Sequence, residues 1–283
     1  MMYKAMELDH IVVHVQQRMA VAEQVFGDLG FTLTPRGYHT LGSINALAIF
    51  ATDYLELLGL PTGEVAQRPE LANAPAGLNG LVFKTDDADK TFAHLQALGV
   101  AGDPPKSFSR PVTLENGDMH EARFRTVALR SDAFTAGRLY FCEHLTPELV
   151  WRPEWQTHAN AALQFQELVV VANNPDEVAE LIAGIVHSHT TKVRNIIGTT
   201  VALSGNFQLL FLTPEQYTEQ FARLAVSMGD RTAMFGAVTI TGALSEHLKQ
   251  KNSVDTDNFE IDWTGNNTRV LVKAFATIIT FAT

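Results

Sequence analysis

The sequence predicts an α+β protein made of four passes of one pattern: strand, helix, then three strands. Two observations predict it. A strand-length apolar stretch followed by a segment with helical apolar spacing opens each pass. Further strand-like stretches then close each pass before the next begins, so the chain reads as a repeat array.

In the first pass residues 6–15 are the opening strand, and Val21, Ala22, Val25, Phe26 and Leu29 share one helical face. Gly30 suits the helix end because it tolerates positive φ. Residues 31–34, 44–50 and 54–60 supply three strands, closed by Pro61-Thr62-Gly63. In the second pass residues 78–84 are the strand. Asp86 or Asp87 caps a helix carrying Phe92, Leu95 and Leu98, and Gly99 stops it. After the Pro104-Pro105 turn, residues 121–129 alternate polar and apolar side chains, and 139–144 end the unit.

The third pass opens at 163–172. Asn174-Pro175-Asp176-Glu177 then combines a cap, a first-turn proline and acids at the positive end of a helix. Val178, Leu181, Ile182 and Ile185 form its buried face, and 196–203 and 206–212 follow as strands. Thr213-Pro214-Glu215-Gln216 resembles a capping box that opens a connecting helix through Leu224. The fourth pass is the least regular: strand 233–241, helix 243–250, and strands 259–263, 269–275 and 277–281. The stretch Trp151-Arg152-Pro153-Glu154-Trp155 separates a half spanning 1–155 from one spanning 156–283, with Trp151 and Trp155 as anchors between them.

Composition narrows the function classes. Of 283 residues, 46% are hydrophobic and 18% charged, enough core material for roughly two domains. No apolar run reaches the ~20 residues of a membrane span, and no charged segment followed by an apolar one opens the chain. The single cysteine, Cys142, forbids an internal disulfide and fits a reducing cytoplasm. A net charge of −10, spread along the chain, argues against nucleic acid and anionic membranes as partners. The expected partner is a small molecule, with a homodimer as a possible assembly.

Two strands carry metal-capable side chains where aliphatic residues would be expected: His10 in residues 8–15 and Glu56 in residues 53–60. About 45 residues separate them, compatible with one compact βαβ-type unit of ~30 or more residues. A carboxylate among leucines is costly unless it is paired, metal-bound or at a rim, whereas a lone buried histidine is often simply bonded to backbone. Arg110, Arg123 and Arg125 offer planar forks for a carboxylate. Arg123 and Arg125 share a strand face, which for Arg125 reads as solvated. His39 and His120 read as surface residues, His187 and His189 as cations at a helix end, and Cys142 as a small buried hydrophobe. There is no Ser-His-Asp order, phosphate-cradling glycine loop or CxxC pair.

Four such units resemble the vicinal-oxygen-chelate superfamily, and more closely its glyoxalase-like domain subgroup. The resemblance rests on Leu8-Asp9-His10-Ile11-Val12-Val13, Gly30-Phe31-Thr32-Leu33-Thr34-Pro35-Arg36-Gly37, Tyr54-Leu55-Glu56-Leu57-Leu58, Ser109-Arg110-Pro111 and Glu121-Ala122-Arg123-Phe124-Arg125. Its most distinctive part is Phe141-Cys142-Glu143-His144-Leu145-Thr146-Pro147-Glu148-Leu149-Val150-Trp151. These motifs lie within residues 1–155; the second half matches in pattern only.

The resemblance implies that units pair into open, cupped mixed β-sheets with helices outside. A divalent metal (Fe, Mn, Zn or Ni) would sit in the first cup. It implies His10, Glu56 and His144 as ligands, with Glu143 replacing His144 if the register slips by one. The fourth ligand position falls on Asn79 or Gly80, which departs from the family pattern because Gly80 offers no donor. Glu56 would double as the base of a lyase or isomerase, while two histidines and one carboxylate would suit an Fe(II) ring-cleaving dioxygenase. Arg110, Arg123, Asn79 and Glu143 are left to contact a small oxygenated, anionic metabolite. In the second half Glu167 takes the place of His10, a leucine or Gln208 that of Glu56, and Gly236 the His10 place of unit four. No ligand set survives there. The alternative is a metal-free small-molecule binding or sequestering protein of the bleomycin-resistance type, which the missing fourth ligand favours.

Overall fold

The computed structural model describes residues 5–63, 68–114, 116–192, 198–242, 257–264 and 267–282. The first half runs β1 (Leu8–Gln16), α1 (Met19–Asp28), β2 (Gly37–Tyr38), β3 (Ile44–Ile49), β4 (Tyr54–Gly59), α2 (Pro69–Ala72), β5 (Gly77–Lys84), α3 (Ala88–Ala97), β6 (Lys106–Thr113), β7 (Met119–Ala128) and β8 (Arg138–His144). These strands form one eight-stranded mixed sheet, ordered β2-β3-β4-β1-β5-β8-β7-β6. The second half repeats the design with β9 (Gln164–Ala172), α4 (Pro175–Ile185), β10 (Thr190–Lys192), β11 (Thr199–Ala202), β12 (Gln208–Leu212), α5 (Pro214–Phe221), β13 (Ala233–Thr241), β14 (Phe259–Thr264), β15 (Asn267–Val272) and β16 (Thr277–Ala282). Its order, β10-β11-β12-β9-β13-β16-β15-β14, is the same. The α+β class with two curved mixed sheets is therefore as the sequence predicts.

Most local signals act as expected. The Asp87 side chain accepts from Lys90 N–H at 3.0 Å and caps α3, and Thr213 with Gln216 completes a capping box on α5. Residues 31–34 are a correction. They are not a strand, because Phe31 turns into the core between the halves and Pro35 removes a ladder donor. The helix expected over 243–250 lies outside the described residues.

In each sheet the two units join through their first strands, β1 to β5 and β9 to β13, both antiparallel. The first sheet curls until its edges meet: Thr40 N–H donates to the Ser109 carbonyl at 3.0 Å, and Ser109 N–H to Thr40 Oγ1 at 3.2 Å. The convex faces carry helices and share one apolar core, where Phe50 meets Phe165 at 5.3 Å and Phe31 meets Phe281 at 6.1 Å between ring centroids. His158 ties the halves, its Nε2 donating to the Ile49 carbonyl at 2.9 Å and its Nδ1 accepting from Thr32 N–H at 3.0 Å. Trp151 is not such an anchor. It packs on Tyr54 and His144, in the wall of the first cup.

The two concave faces differ. That of the first sheet surrounds a cavity of about 860 Å³. That of the second is filled by α5 and the turn after it, whose Tyr217, Phe221 and Leu224 pack with Val169, Leu210 and Met234. Tyr217 donates its hydroxyl to the Gly236 carbonyl at 3.1 Å, and a Cβ at position 236 would stand 2.7 Å from the Tyr217 ring. Gly236 is thus the residue that admits the plug.

Candidate functional site

Ladder register shows which residues can meet inside the first cup. On β1 and β4, His10 stands beside Tyr54 and Val12 beside Glu56. On β5 and β8, Gly80 stands beside Arg138 and Val82 beside Tyr140. The β1–β5 ladder pairs His10 with Val82 and Val12 with Gly80, which relates the two units by a two-fold axis. Gly80 is therefore the counterpart of His10, and Tyr140, not His144, is the counterpart of Glu56.

The side chains agree with this register. His10 Nε2 lies 3.6 Å from Glu56 Oε2 and 3.3 Å from the Tyr140 hydroxyl. The His10 ring stacks on Tyr54 at 4.4 Å. Asn45 Nδ2 donates to the other Glu56 oxygen at 2.8 Å and lies 3.2 Å from His39 Nε2. Burial works to raise the Glu56 carboxyl, but His10, His39 and the Asn45 amide outweigh it and hold it below the usual range. Burial pushes His39 down to about 4 against the opposing pull of Glu56, so His39 is neutral at pH 7. Burial raises the Tyr140 phenol, and Glu56 adds to that, so it stays protonated.

Asp9 organises the next layer. By strand alternation it should face away from His10. A β-bulge sets Asp9 and His10 together opposite Val82, because Leu8 pairs with Phe83 and His10 already with Val82. Asp9 Oδ1 thereby reaches His10 Nδ1 at 2.5 Å and accepts from His144 Nε2 at 3.1 Å, with Asp9 Oδ2 2.9 Å from the same nitrogen. Burial would raise this carboxyl, but His144 and His10 overturn that effect and keep it far below the carboxylate range. An ionised Asp9 can only accept, so His10 donates its Nδ1–H to it and presents Nε2 to Glu56 and the Tyr140 hydroxyl.

His144 is therefore placed differently from the sequence expectation. It joins Asp9 and Cys142, whose ligand atoms lie within 4.8 Å of one another, rather than Glu56. It sits four residues past Tyr140, two pleats further along the strand. Glu143 and Arg123 also fall outside the cup. Glu143 pairs with Arg125 at 3.3 Å and accepts from Ala88 N–H on the convex side. Alternation on β7 turns Phe124 and Thr126 to the cavity and leaves Arg123 on the outer face. Arg110 and Asn79 do line the cavity. Asn79 gets there through a second bulge and accepts from Arg138 Nε at 2.9 Å. His39, read from sequence as a surface residue, also lines it.

A metal at the family position would draw on the two-fold-related set His10, Glu56, Gly80 and Tyr140. Two donors about 2.0–2.2 Å from one ion lie at most ~4.4 Å apart, so the 3.6 Å pair of His10 and Glu56 fits a shared divalent cation. Gly80 gives nothing, and Tyr140 a neutral hydroxyl. The corresponding set in the second sheet is Glu167, Leu210, Ala237 and Thr280 by the same register. Glu167 there accepts from Gln208 at 2.7 Å.

Two like units joined at their first strands around a polar cup define a vicinal-oxygen-chelate protein. A sequence model of the glyoxalase-like domain matches residues 8–186, and the chain belongs to that family. The match continues past residue 155, through β9 and α4 of the second half. No curated relative matches the chain. Among solved structures, a hypothetical protein from Staphylococcus aureus is similar at 12% identity and TM-score 0.64, over 97% of this chain and 98% of that one. A mutant of 4-hydroxymandelate synthase from Streptomyces coelicolor is similar at 11% identity and TM-score 0.57, over 99% and 92%. The Mn(II)-bound glyoxalase from Novosphingobium aromaticivorans is similar at 11% identity and TM-score 0.54, over 98% and 82%. At these identities the likeness is one of fold. No helix among the described residues is long and apolar enough to cross a membrane.

Proposed function

We propose that the protein is a metal-assisted enzyme of lyase or isomerase type. It moves a proton on a small oxygenated organic molecule held in the first cup, with Glu56 as the proton acceptor. The observation that carries this reading is the buried His10 Nε2 facing an ionised Glu56 carboxylate at 3.6 Å. An imidazole nitrogen so close to a carboxylate in a dry site calls for a proton or a cation between them, and the spacing admits a divalent ion.

A divalent ion held by His10 and Glu56 would polarise an oxygen of the bound molecule and so acidify its neighbouring C–H. The chain's own residues supply the rest. Asp9 keeps the Nε2 of His10 free by holding the proton on Nδ1. Asn45 engages one oxygen of Glu56 and so leaves ion binding and proton transfer to the other, which faces His10. Tyr140, protonated at working pH, offers a donor to developing negative charge. The dioxygenase reading draws less support, because a two-histidine, one-carboxylate triad needs a second imidazole at Glu56, and His144 is engaged by Asp9 instead.

Elemental analysis of protein purified without chelator or nickel resin tests the proposal. The expected result is stoichiometric Mn, Fe, Zn or Ni that disappears in His10→Ala. A fully folded wild type without metal overturns it. That outcome leaves the second reading, a metal-free binding protein, which Gly80 in a ligand position favours.

A further inference from the structure

The cup contains more positive charge than its own carboxylates answer. Three cations at its rim have private partners: Arg68 with Glu70 at 2.8 Å, Lys106 with Asp103 at 2.7 Å and Arg130 with Asp132 at 2.9 Å. Arg110 and Arg138 do not. Arg110 is 3% exposed, and its Nη2 is shut off from solvent with no protein acceptor among the described residues. Arg138 spends Nε on Asn79, and its Nη2 is likewise enclosed and without an acceptor. Burial pulls both guanidinium groups below their ordinary range. Glu56 is the one cavity carboxylate that acts favourably on both.

Such an arrangement is costly for an empty fold, because a buried charge with unmet donors is destabilising. The backbone nevertheless makes room for it. A Cβ at Gly37 would strike Asn45 Oδ1 first and would stand 3.0 Å from Arg110 Cδ and 3.2 Å from its Nη1. Beside these donors the wall is apolar: Phe108 and Phe124 stack at 5.1 Å, and both line the same cavity. Its volume of about 860 Å³ exceeds what a two- or three-carbon metabolite needs and lies within the ~300–1,000 Å³ of ligand pockets.

We infer that the cup selects an amphipathic organic acid, its carboxylate received by Arg110 or Arg138 and its apolar body laid on Phe108 and Phe124. The inference rests on the cup being the working site proposed above and names the class of molecule it takes. A guanidinium presents paired N–H donors that match the two oxygens of a carboxylate. A neutral ligand could accept a hydrogen bond there but would leave the buried positive charge unanswered.

The test is calorimetric titration of the full chain, with thermal unfolding alongside, using 3-phenylpropionate and octanoate, each against its own amide, and inorganic phosphate. The expected result is that at least one acid binds about tenfold or more tighter than its amide, the worth of one charge-assisted hydrogen bond. Arg110→Met or Arg138→Met should lose that preference while keeping the wild-type metal content; both variants keeping the preference overturns the inference. Their melting temperatures without ligand should equal or exceed wild type, because an unanswered buried charge has gone. Arg110→Lys and Arg138→Lys keep the charge but lose the fork. The variant at the receiving position should also lose the preference, which secures the test if a methionine variant fails to fold. Lys106→Met, at the rim, should bind as wild type does. Acids and amides binding alike, neither acid binding, or phosphate binding as tightly as the acids each overturn the inference. A protein that prefers the acids but carries no metal sinks the metal reading alone.

Discussion

Asp9 shows how much one residue can set. Its buried carboxylate holds two imidazoles, and through His10 it fixes which nitrogen faces Glu56. Asp9→Asn keeps the shape but removes the charge and places an amide donor against a ring N–H. The expected cost is about 1–3 kcal/mol of stability, since a buried donor loses its acceptor, read by denaturant unfolding. Metal affinity should fall about 10- to 100-fold, the usual effect of removing a ligand's orienting partner; competition against a chelator measures it. Unchanged affinity would mean that Asp9 is a packing residue. His10 and Glu56 were legible in the sequence because a titratable side chain inside a leucine-rich strand is anomalous by itself. Asp9, Asn45, Tyr140 and Arg138 were not. Each is ordinary for its local pattern, and its role exists only through a partner on another strand.

At the scale of elements, the difference between the two cups comes down to one short helix. The capping box of α5 was visible in the sequence and is present, but a capping box says where a helix starts, not where it lies. Here α5 lies in the concave face of the second sheet, admitted by the missing side chain at Gly236. Gly236→Ala would push a methyl into the Tyr217 ring and into Val171, whose Cγ2 is 2.9 Å away. The expected destabilisation is about 1–3 kcal/mol, the range for overpacking, seen as a lower unfolding midpoint with ligand binding in the first cup unchanged. A neutral effect would mean that α5 sits loosely on the sheet. The same scale accounts for the displaced expectations. Simple alternation cannot distinguish the two faces of β7 for Arg123, nor tell that the counterpart of Glu56 on β8 is Tyr140.

Across the whole molecule, the halves are joined by a continuous apolar core with buried polar ties. One tie is Asp53, at the start of the site strand, which accepts from Phe165 N–H of the second half at 3.2 Å. Burial raises its carboxyl to about 7. The folded protein therefore keeps a proton that the unfolded chain releases near pH ~3.9. Between those values the folded state binds the extra proton, so this group's contribution to stability falls as pH rises from about 4 to about 7 and is level beyond. Asp53→Asn imitates the protonated acid. It should flatten that slope and be more stable than wild type at pH 8, on the order of a few kcal/mol, while differing little at pH 4. Denaturation midpoints across pH check this; parallel wild-type and variant curves would place the ionised carboxylate in the folded state.

By itself the sequence determined the four-unit pattern, the α+β class, most helix ends and the oddity of His10 and Glu56. These depend on side-chain period, capping chemistry and burial preference, all readable within a few neighbouring residues. Only the tertiary structure decided that Asp9 turns inward, that His144 belongs to Asp9, that one cup is open and the other plugged, and that Arg110 and Arg138 share the open one. Those outcomes depend on bulges, register and sheet closure, which arise from pairing between strands far apart in the chain, and a one-residue change of register sends a side chain to the opposite face.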